Sequence, residues 1–163
     1  MTENTAISVL AYNMRTTLNG LKEETRKVVE GEHDAIMAMQ RQQLIDGLTS
    51  EGKPITPSYS QDPYLKNPQG YIAWKSRLPI PQSTRRNDDT PNLYINGRFH
   101  SELDVTFKED GFAVVPSTPY AAKIVSKYGL DTFGLDGENK DMLIRERILP
   151  NLLTNIRQRI TER

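Results

Sequence analysis

The segment LYINGRFHSELDVTFKEDGFAVVP, residues 93–116, carries the clearest structural signal of the chain. Apolar residues in it alternate with polar ones at a spacing of two, which is typical of a half-buried β-strand. These apolar residues are Leu93, Ile95, Phe99, Leu103, Val105 and Phe107. Asp110 and Gly111 favour a tight turn because glycine adopts positive φ without strain, and the apolar returning strand ends at Pro116. We therefore predict an antiparallel hairpin near residues 99–116.

Helical periodicity precedes this hairpin. In residues 1–46 apolar side chains recur at steps of three and four, which indicates one face of a helix. The stripe consists of Ile7, Leu10, Met14, Leu18, Leu21, Thr25 and Val28, followed by Ile36, Met39 and Gln43. Gly31 interrupts it, so we predict either two consecutive helices or one long bent helix. A stripe this long and narrow packs on partner molecules or across a domain more often than around a core of its own.

The segment 47–91 is rich in proline and tyrosine, unlike the helical region before it. Its prolines and glycines cannot sustain a long helix, whereas its tyrosines and Ile55 make it too apolar for a disordered tail. We predict an ordered loop or extended arm. Within it, a short helix over 69–77 follows Pro68, which is favourable at a first helical position.

Two further helices are predicted after the hairpin. Pro119 can open a helix that ends at Gly129. A terminal helix begins at about Asn139 and runs to the end of the chain. Pro150 lies inside this helix and should kink it or split it in two, because proline removes one helical hydrogen bond.

These signals combine into a single α+β domain over residues 1–163. Its parts are a helical region with a long N-terminal helix (1–46), the Pro/Tyr-rich arm (47–91), and a small antiparallel sheet with C-terminal helices packed on it (92–163).

Composition excludes several classes of protein. The 163 residues contain 21 basic and 21 acidic side chains, so no net charge draws the chain to DNA or to a membrane. There is no cysteine, which excludes disulfides, thiolate metal sites and cysteine nucleophiles. No apolar run approaches the roughly 18 residues of a membrane span, and no secretory signal is recognisable. We expect a soluble protein that is made in a cytoplasm and has no membrane partner.

The two histidines are candidates for chemistry, and each has a simpler interpretation. His33 lies beside Asp34 in a charged helical stretch and is interpreted as a surface histidine rather than a ligand or base. His100, with Glu102 and Asp104 at alternate positions, could form an imidazole–carboxylate cluster on one face of a strand. A solvated sheet face explains the same spacing, and we favour it.

Charged runs near the C-terminus give two further candidates. The stretch from Asp136 to Asp141 invites a calcium-loop interpretation, but Lys140 stands where an oxygen ligand is needed, so a helix start is favoured. The basic final helix could contact phosphate or an acidic partner, or merely complement the helix dipole and face solvent. Its arginines are Arg145, Arg147, Arg157, Arg159 and Arg163. We predict no catalytic, cofactor or metal site.

Aromatic residues of the arm form the one candidate binding site. Tyr59, Tyr64, Tyr71 and Trp74 could stack on nucleic-acid bases, but no arginines are interleaved with them. Anchors for a loop, or hot spots of a protein interface, fit the pattern better. These four residues are our candidate inter-subunit interface.

The order of the parts resembles one known family. The motif residues are Gln43-Leu44 and Gly47, then Gly52-Lys53-Pro54-Ile55, Tyr59, Tyr64 and Lys75, then Leu93, Gly97 and Phe99 before the hairpin, then Tyr120-Ala121 and Tyr128-Gly129 before the closing helix. From Gln40 to Ile160 the chain is similar to the tail-completion, or virion-morphogenesis, family of tailed bacteriophages. That family includes minor tail protein Z-like proteins and the neck ring proteins of crAss-like phages.

The resemblance implies a non-catalytic structural protein of the virion. Such a protein forms a homo-oligomeric ring in the neck or tail top, contacts portal or adaptor and tail proteins, and leaves a channel through which DNA passes as cargo. The alternative is a small non-catalytic adaptor or regulatory binding protein that acts as a monomer or dimer. A third interpretation is a small hydrolase or nuclease that uses His100, Glu102 and Asp104.

Overall fold

The chain has an α+β fold, as predicted, with one small antiparallel sheet and helices before and after it. A computed structural model describes residues 3–83 and 85–161, with side chains from residue 7 onward. The helices are α1 (Glu3–Asn19), α2 (Leu21–Gly31), α3 (His33–Ile45), α4 (Pro68–Lys75), α5 (Arg98–Ser101), α6 (Ala121–Tyr128), α7 (Gly137–Met142) and α8 (Leu149–Thr161), and the strands are β1 (Leu103–Lys108) and β2 (Gly111–Pro116).

The N-terminal third is helical as predicted, but as three helices in succession rather than one or two. The interruption predicted at Gly31 occurs at Glu32, between α2 and α3. A second interruption, which was not predicted, lies at Gly20. There the hydrogen bonding stays helical, because the Gly20 N–H bonds to the carbonyls of Thr16 and Thr17 and the Gly20 carbonyl accepts from Glu24. Thus α1 runs on into α2 instead of folding back on it.

The hairpin is confirmed, but its first strand starts later than the alternation suggested. β1 and β2 pair from Leu103 opposite Pro116 to Lys108 opposite Gly111, so the position of the turn is confirmed. The expected positive φ at Gly111 is wrong, because Gly111 is the first paired residue of β2 and does not have a left-handed backbone. The prediction that strand structure extends back to residues 93–99 is wrong. Gly97 has a φ of 81° and the Asn96 side chain accepts from the Arg98 N–H, which starts the short helix α5 in place of a strand.

The core lies between α3, the hairpin and the loop before α7. Its buried apolar residues are Ile36, Met37, Leu44, Ile55, Phe99, Leu103, Val105, Val114, Leu135 and Leu143. Two glutamines of α3, Gln40 and Gln43, are also fully buried. The Gln43 carbonyl accepts from the Asp136 N–H and its amide donates to the Gly134 carbonyl, while the Gln40 side chain accepts from the Gly134 N–H. Side-chain amides therefore hold the loop against α3.

Two of the remaining helices begin or end close to the residues predicted from proline and glycine positions. α4 begins at Pro68, and α6 ends at Tyr128 with Gly129 as its C-cap, as predicted. The terminal helix is continuous from residue 137 to 161, so the alternative that Pro150 splits it in two is wrong. Instead, the helix has a π-helical turn over Leu143–Ile148, just before Pro150. A wider turn accommodates proline, which lacks an N–H and crowds the preceding turn.

The final helix lies along α2 and α1, held by a row of polar contacts. Glu32, between α2 and α3, accepts from Arg147 and Asn151, and Glu24 of α2 accepts from Asn155 and Arg159. The four donors are spaced by four residues and so share one helix face. α8 therefore runs antiparallel to α2, with both carboxylates largely buried between the helices.

Candidate functional site

The four aromatic residues of the candidate interface lie in different environments. Tyr59 is only 4% exposed, and its ring packs edge-on against Tyr71 at 4.9 Å between centroids. Tyr71 in turn contacts Trp74 at 5.4 Å. Tyr64 is 83% exposed and Trp74 is 44% exposed. Tyr59 therefore anchors the arm to its own chain, and a partner would meet Tyr64, Trp74 and the edge of Tyr71.

A pocket of about 300 Å³ lies beneath this aromatic cluster. Aromatic rings and one lysine dominate its walls, which include Tyr59, Tyr71, Lys75, Phe99, Tyr120 and Tyr128. The Lys75 ammonium donates to the Tyr94 carbonyl and lies 5.7 Å from the centroid of the Tyr59 ring. Burial, with a smaller contribution from the charge of Arg86, lowers the pKa of Lys75 to about 8. Tyr59, Lys75, Leu93, Phe99, Tyr120 and Tyr128, which are distant in sequence, thus meet in one place.

An ion pair lies next to Tyr128, one of the residues that line this pocket. The Lys127 ammonium bonds to the Asp62 carboxylate, which is buried. Burial alone would raise the pKa of Asp62, but the hydrogen bonds from Lys127 and from the Tyr64 N–H outweigh it and the net pKa is lowered. Asp62 therefore stays ionised and ties the arm to α6, so it serves as an anchor of the arm.

Basic side chains bond to backbone carbonyls of the irregular loop over residues 90–97 and of helix α5 that follows it. Arg86 donates to the Thr90 carbonyl at 2.9 Å, His100 Nε2 bonds to the Asn92 carbonyl at 2.9 Å, and Lys75 donates to Tyr94. Arg41 Nε donates to the His100 carbonyl at 2.9 Å. Because the loop lacks a strand partner, these side chains supply the hydrogen bonds that a ladder would otherwise provide. Their positions were not predicted, since nothing local in the sequence links Lys75 or Arg41 to this loop.

The cluster suggested for His100, Glu102 and Asp104 does not form. His100 is buried and bonded to the loop, and burial lowers its pKa, so the neutral ring donates through Nε2. Glu102 pairs with Arg98 at 2.6 Å and is outside the strand. The spacing of two that motivated the cluster holds only for a continuous strand, and α5 breaks that strand at these positions.

Asp104 instead meets the other histidine. His33 Nε2 lies 2.9 Å from the Asp104 carboxylate and Nδ1 lies 3.0 Å from the Asp34 carboxylate. A neutral imidazole carries one N–H, whereas the imidazolium donates from both nitrogens. The carboxylate of Asp104, and then that of Asp34, holds the pKa of His33 above its ordinary value. The surface histidine of the sequence interpretation is thus an exposed link between α3 and β1.

Several residues of the C-terminal charged runs have structural partners, whereas Arg163 lies outside the described residues. Asp136 caps α7, since its side chain accepts from the Asn139 N–H at 2.8 Å, as the helix-start interpretation requires. Within the described residues, no group of three or more histidine, aspartate or glutamate side chains is arranged to hold a metal ion. Arg147 and Arg159 are engaged with Glu32 and Glu24, a role that their spacing of four with Asn151 and Asn155 could have suggested.

The apolar stripe of α1 is largely uncovered. Ile7, Leu10, Met14 and Leu18 are between 46% and 68% exposed. The side of α1 that faces α8 is polar instead, with Asn13, Thr16 and Thr17 opposite Asn155, Gln158 and Arg159. On α8, Leu149 and Leu153 are exposed as well. Exposed apolar side chains in a row are typical of surfaces that bind another molecule.

A second apolar surface is concave and lies at the other end of the same stripe. A groove of about 450 Å³ separates α2 from the hairpin turn. Leu21, Thr25 and Val29 form its helical wall, and Phe107 forms part of the strand wall. Charged residues occupy the rim, where Lys22 pairs with Glu109 at 2.6 Å and both side chains are exposed. Arg26, Lys108 and Asp110 line the groove as well, so its apolar walls are bordered by charges of both signs.

Over the part of the chain that the structure describes, no helix combines the length and apolar character needed to cross a bilayer. Comparison of the chain with protein-family models, with curated proteins and with solved structures finds no match.

Proposed function

We propose that the protein is a structural subunit of a ring in the neck or tail top of a tailed bacteriophage, where it joins portal-side and tail proteins around a channel for DNA. The observation that carries the proposal is the uncovered apolar face of α1. A monomer has no reason to keep four large apolar side chains in one row in water. Burying them against a neighbour would contribute about 1 kcal/mol or more for each side chain.

The family resemblance supports the same conclusion from different residues. Six of its residues line one pocket, namely Tyr59, Lys75, Leu93, Phe99, Tyr120 and Tyr128. The exposed Tyr64 and Trp74 border this region and offer aromatic contacts to a second protein. The absence of net charge suits a channel wall past which DNA has to slide.

The adaptor alternative makes a different prediction about size. An adaptor acts as a monomer or dimer, whereas a ring needs head-to-tail contacts between many copies. The hydrolase or nuclease alternative depended on His100, Glu102 and Asp104, and these residues have separate partners.

Two measurements test the proposal. Light scattering gives the mass of the purified chain over a range of concentrations, alone and with the portal assembly of the same phage. Electron microscopy of particles, with the protein labelled, gives its position. We expect a closed ring or recruitment to the portal, and label at the neck. A monomer or dimer that ignores the portal, and particles without label at the neck, would favour the adaptor.

A further inference from the structure

The uncovered stripe and the groove are complementary surfaces on one chain. The stripe is convex, formed by Ile7, Leu10, Met14 and Leu18, whereas the groove between α2 and the hairpin is concave. Both are apolar at the centre. Because α1 continues into α2 through helical hydrogen bonds at Gly20, the stripe cannot turn back into the groove of its own chain.

We propose that α1 of one copy docks into the α2–hairpin groove of a second copy of this chain. The inference rests on the proposed function and specifies the contact through which the ring closes. A contact between two different surfaces is heterologous, so each copy uses its stripe on one neighbour and its groove on the other. Repetition of such a contact produces a ring when the rotation closes.

The charge distribution fits this occupant. The 17 residues of α1 include only two charged ones, Glu3 and Arg15. At 100° per residue, Arg15 lies on the flank of the stripe rather than on it. The groove combines apolar walls with charged lining residues of both signs, which are Lys22, Arg26, Lys108, Glu109 and Asp110. Two of these charges are already paired, Lys22 with Glu109 and Arg26 with Glu23 and Glu30. The α1 stripe can therefore enter the groove without bringing a charge of its own into it.

The absence of cysteine permits a direct test by disulfide cross-linking. The double variant Leu10→Cys/Val29→Cys places one thiol on the stripe and one on the groove wall. Within one chain these positions are separated by about 28 Å along successive helices, at 1.5 Å per residue. A disulfide requires Cα atoms within about 7 Å, so any disulfide in this variant joins two molecules.

A matched control is available on the opposite side of α1. Val9 is 47% exposed and Leu10 is 46% exposed, but the two side chains point to different faces. After mild oxidation, we expect a ladder of cross-linked oligomers from Leu10→Cys/Val29→Cys on denaturing gels. Val9→Cys/Val29→Cys and the single variants should remain at monomer mass. Circular dichroism before oxidation establishes that each variant is folded.

Other outcomes would overturn the proposal in distinguishable ways. Dimers from Leu10→Cys alone would mean that α1 packs on α1 of its partner. Oligomers in light scattering without a ladder would mean that the ring forms through other surfaces, and the proposed function would stand. A monomer at every concentration without a ladder would reject the contact, and particle imaging would then decide the function separately.

A charge variant gives a second readout that needs no cross-link. Leu10→Glu should weaken self-association about tenfold or more, because the docked carboxylate loses its water. Val9→Glu should leave it unchanged. Equal effects of the two variants on the mass at a given concentration would reject docking through the stripe.

Discussion

Helices α3 and α1 have the same kind of apolar spacing, but most large apolar side chains of α3 are buried and those of α1 are exposed. In α3, Ile36, Met37, Leu44 and Ile45 are buried, and so are two glutamines. In α1, large apolar side chains face solvent, and the side that contacts α8 is polar. The stripe alone therefore does not determine whether a helix face is covered. What determines it is whether the rest of the chain supplies an apolar surface opposite, as the hairpin does for α3.

The difference between α3 and α1 is tested by truncating one leucine in each helix, and the largest loss of stability is expected from Leu44→Ala. Leu44 is fully buried, so truncation removes apolar contacts and leaves a cavity. We expect the free energy of unfolding to fall by about 2 to 5 kcal/mol. Leu18→Ala is the matched change on α1, where the same side chain is 68% exposed, and it should alter the free energy by less than about 0.5 kcal/mol.

Urea unfolding followed by circular dichroism measures both variants, at a concentration where light scattering shows a monomer. A loss for Leu18→Ala comparable to that for Leu44→Ala would mean that α1 is covered within its own chain. The comparison between the two helices, and the proposed function with it, would then fail.

A smaller effect is expected from Gln43→Leu, which tests why α3 tolerates polar groups inside. The Gln43 side-chain oxygen accepts hydrogen bonds from the Asp136 N–H and the Asn139 side-chain amide, and the Gln43 side-chain amide donates to the Gly134 carbonyl. Leucine fits apolar surroundings but leaves these groups unpaired, so we expect a loss of about 1 to 3 kcal/mol. Gln42→Leu is the control, since Gln42 is exposed and bonds only to Asp46. Thermal melts of both variants decide between packing and hydrogen bonding as the role of this position.

The features that could be predicted from the sequence are those whose cause lies within a few residues. The turn between β1 and β2 lies at the predicted position, Pro68 opens α4, and the Asp136 side chain caps the helix that follows it. The same local reasoning failed at residues 93–99, where alternation predicted a strand. There a left-handed Gly97 and a buried Phe99 formed α5 instead.

Contacts between distant residues could not be predicted in this way. Gln43 meets Gly134 across 91 residues, and His33 meets Asp104 across 71. A carboxylate, an amide or an amine indicates that a partner is required, but not which one. For that reason the burial of Lys75 in the wall of the aromatic pocket was not predicted. The location of the uncovered stripe likewise depends on where α8 lies.

The polar row between α2 and α8 gives the next prediction, because it decides which face of the helices stays uncovered. Arg159→Met removes the charged partner of Glu24 and leaves that largely buried carboxylate with Asn155 alone. We expect a loss of about 1 to 2 kcal/mol in the free energy of unfolding. Arg157→Met, on an exposed neighbouring position, should have almost no effect. Equal losses in denaturant unfolding would mean that helix propensity or net charge matters here, and not the contact with Glu24.

The smallest effect concerns His33, which joins the well-packed helix α3 to the hairpin by a contact that is itself exposed. Its pKa is raised by Asp104 and Asp34, so folding favours the protonated ring. The contribution is therefore fully present below the unfolded-state pKa of about 6.5 and is lost as the pH rises through the higher folded-state pKa. Since 42% of the side chain is exposed, solvent screening limits the contribution to less than about 1 kcal/mol.

The measurement that isolates this contact is a difference, because other groups, His100 among them, also titrate. We expect the free energy of unfolding of the parent chain to exceed that of His33→Gln at about pH 6, and the difference to shrink by about pH 9. Asp104→Asn should remove most of the same dependence, since Asp104 is the stronger partner. A difference that stays constant with pH would show that His33 stabilises the hairpin by packing on Phe107, whose ring centroid lies 6.4 Å away. In that case α3 would contact the hairpin through apolar packing even at the exposed edge of their interface. The contrast between the covered face of α3 and the uncovered face of α1 would then be larger.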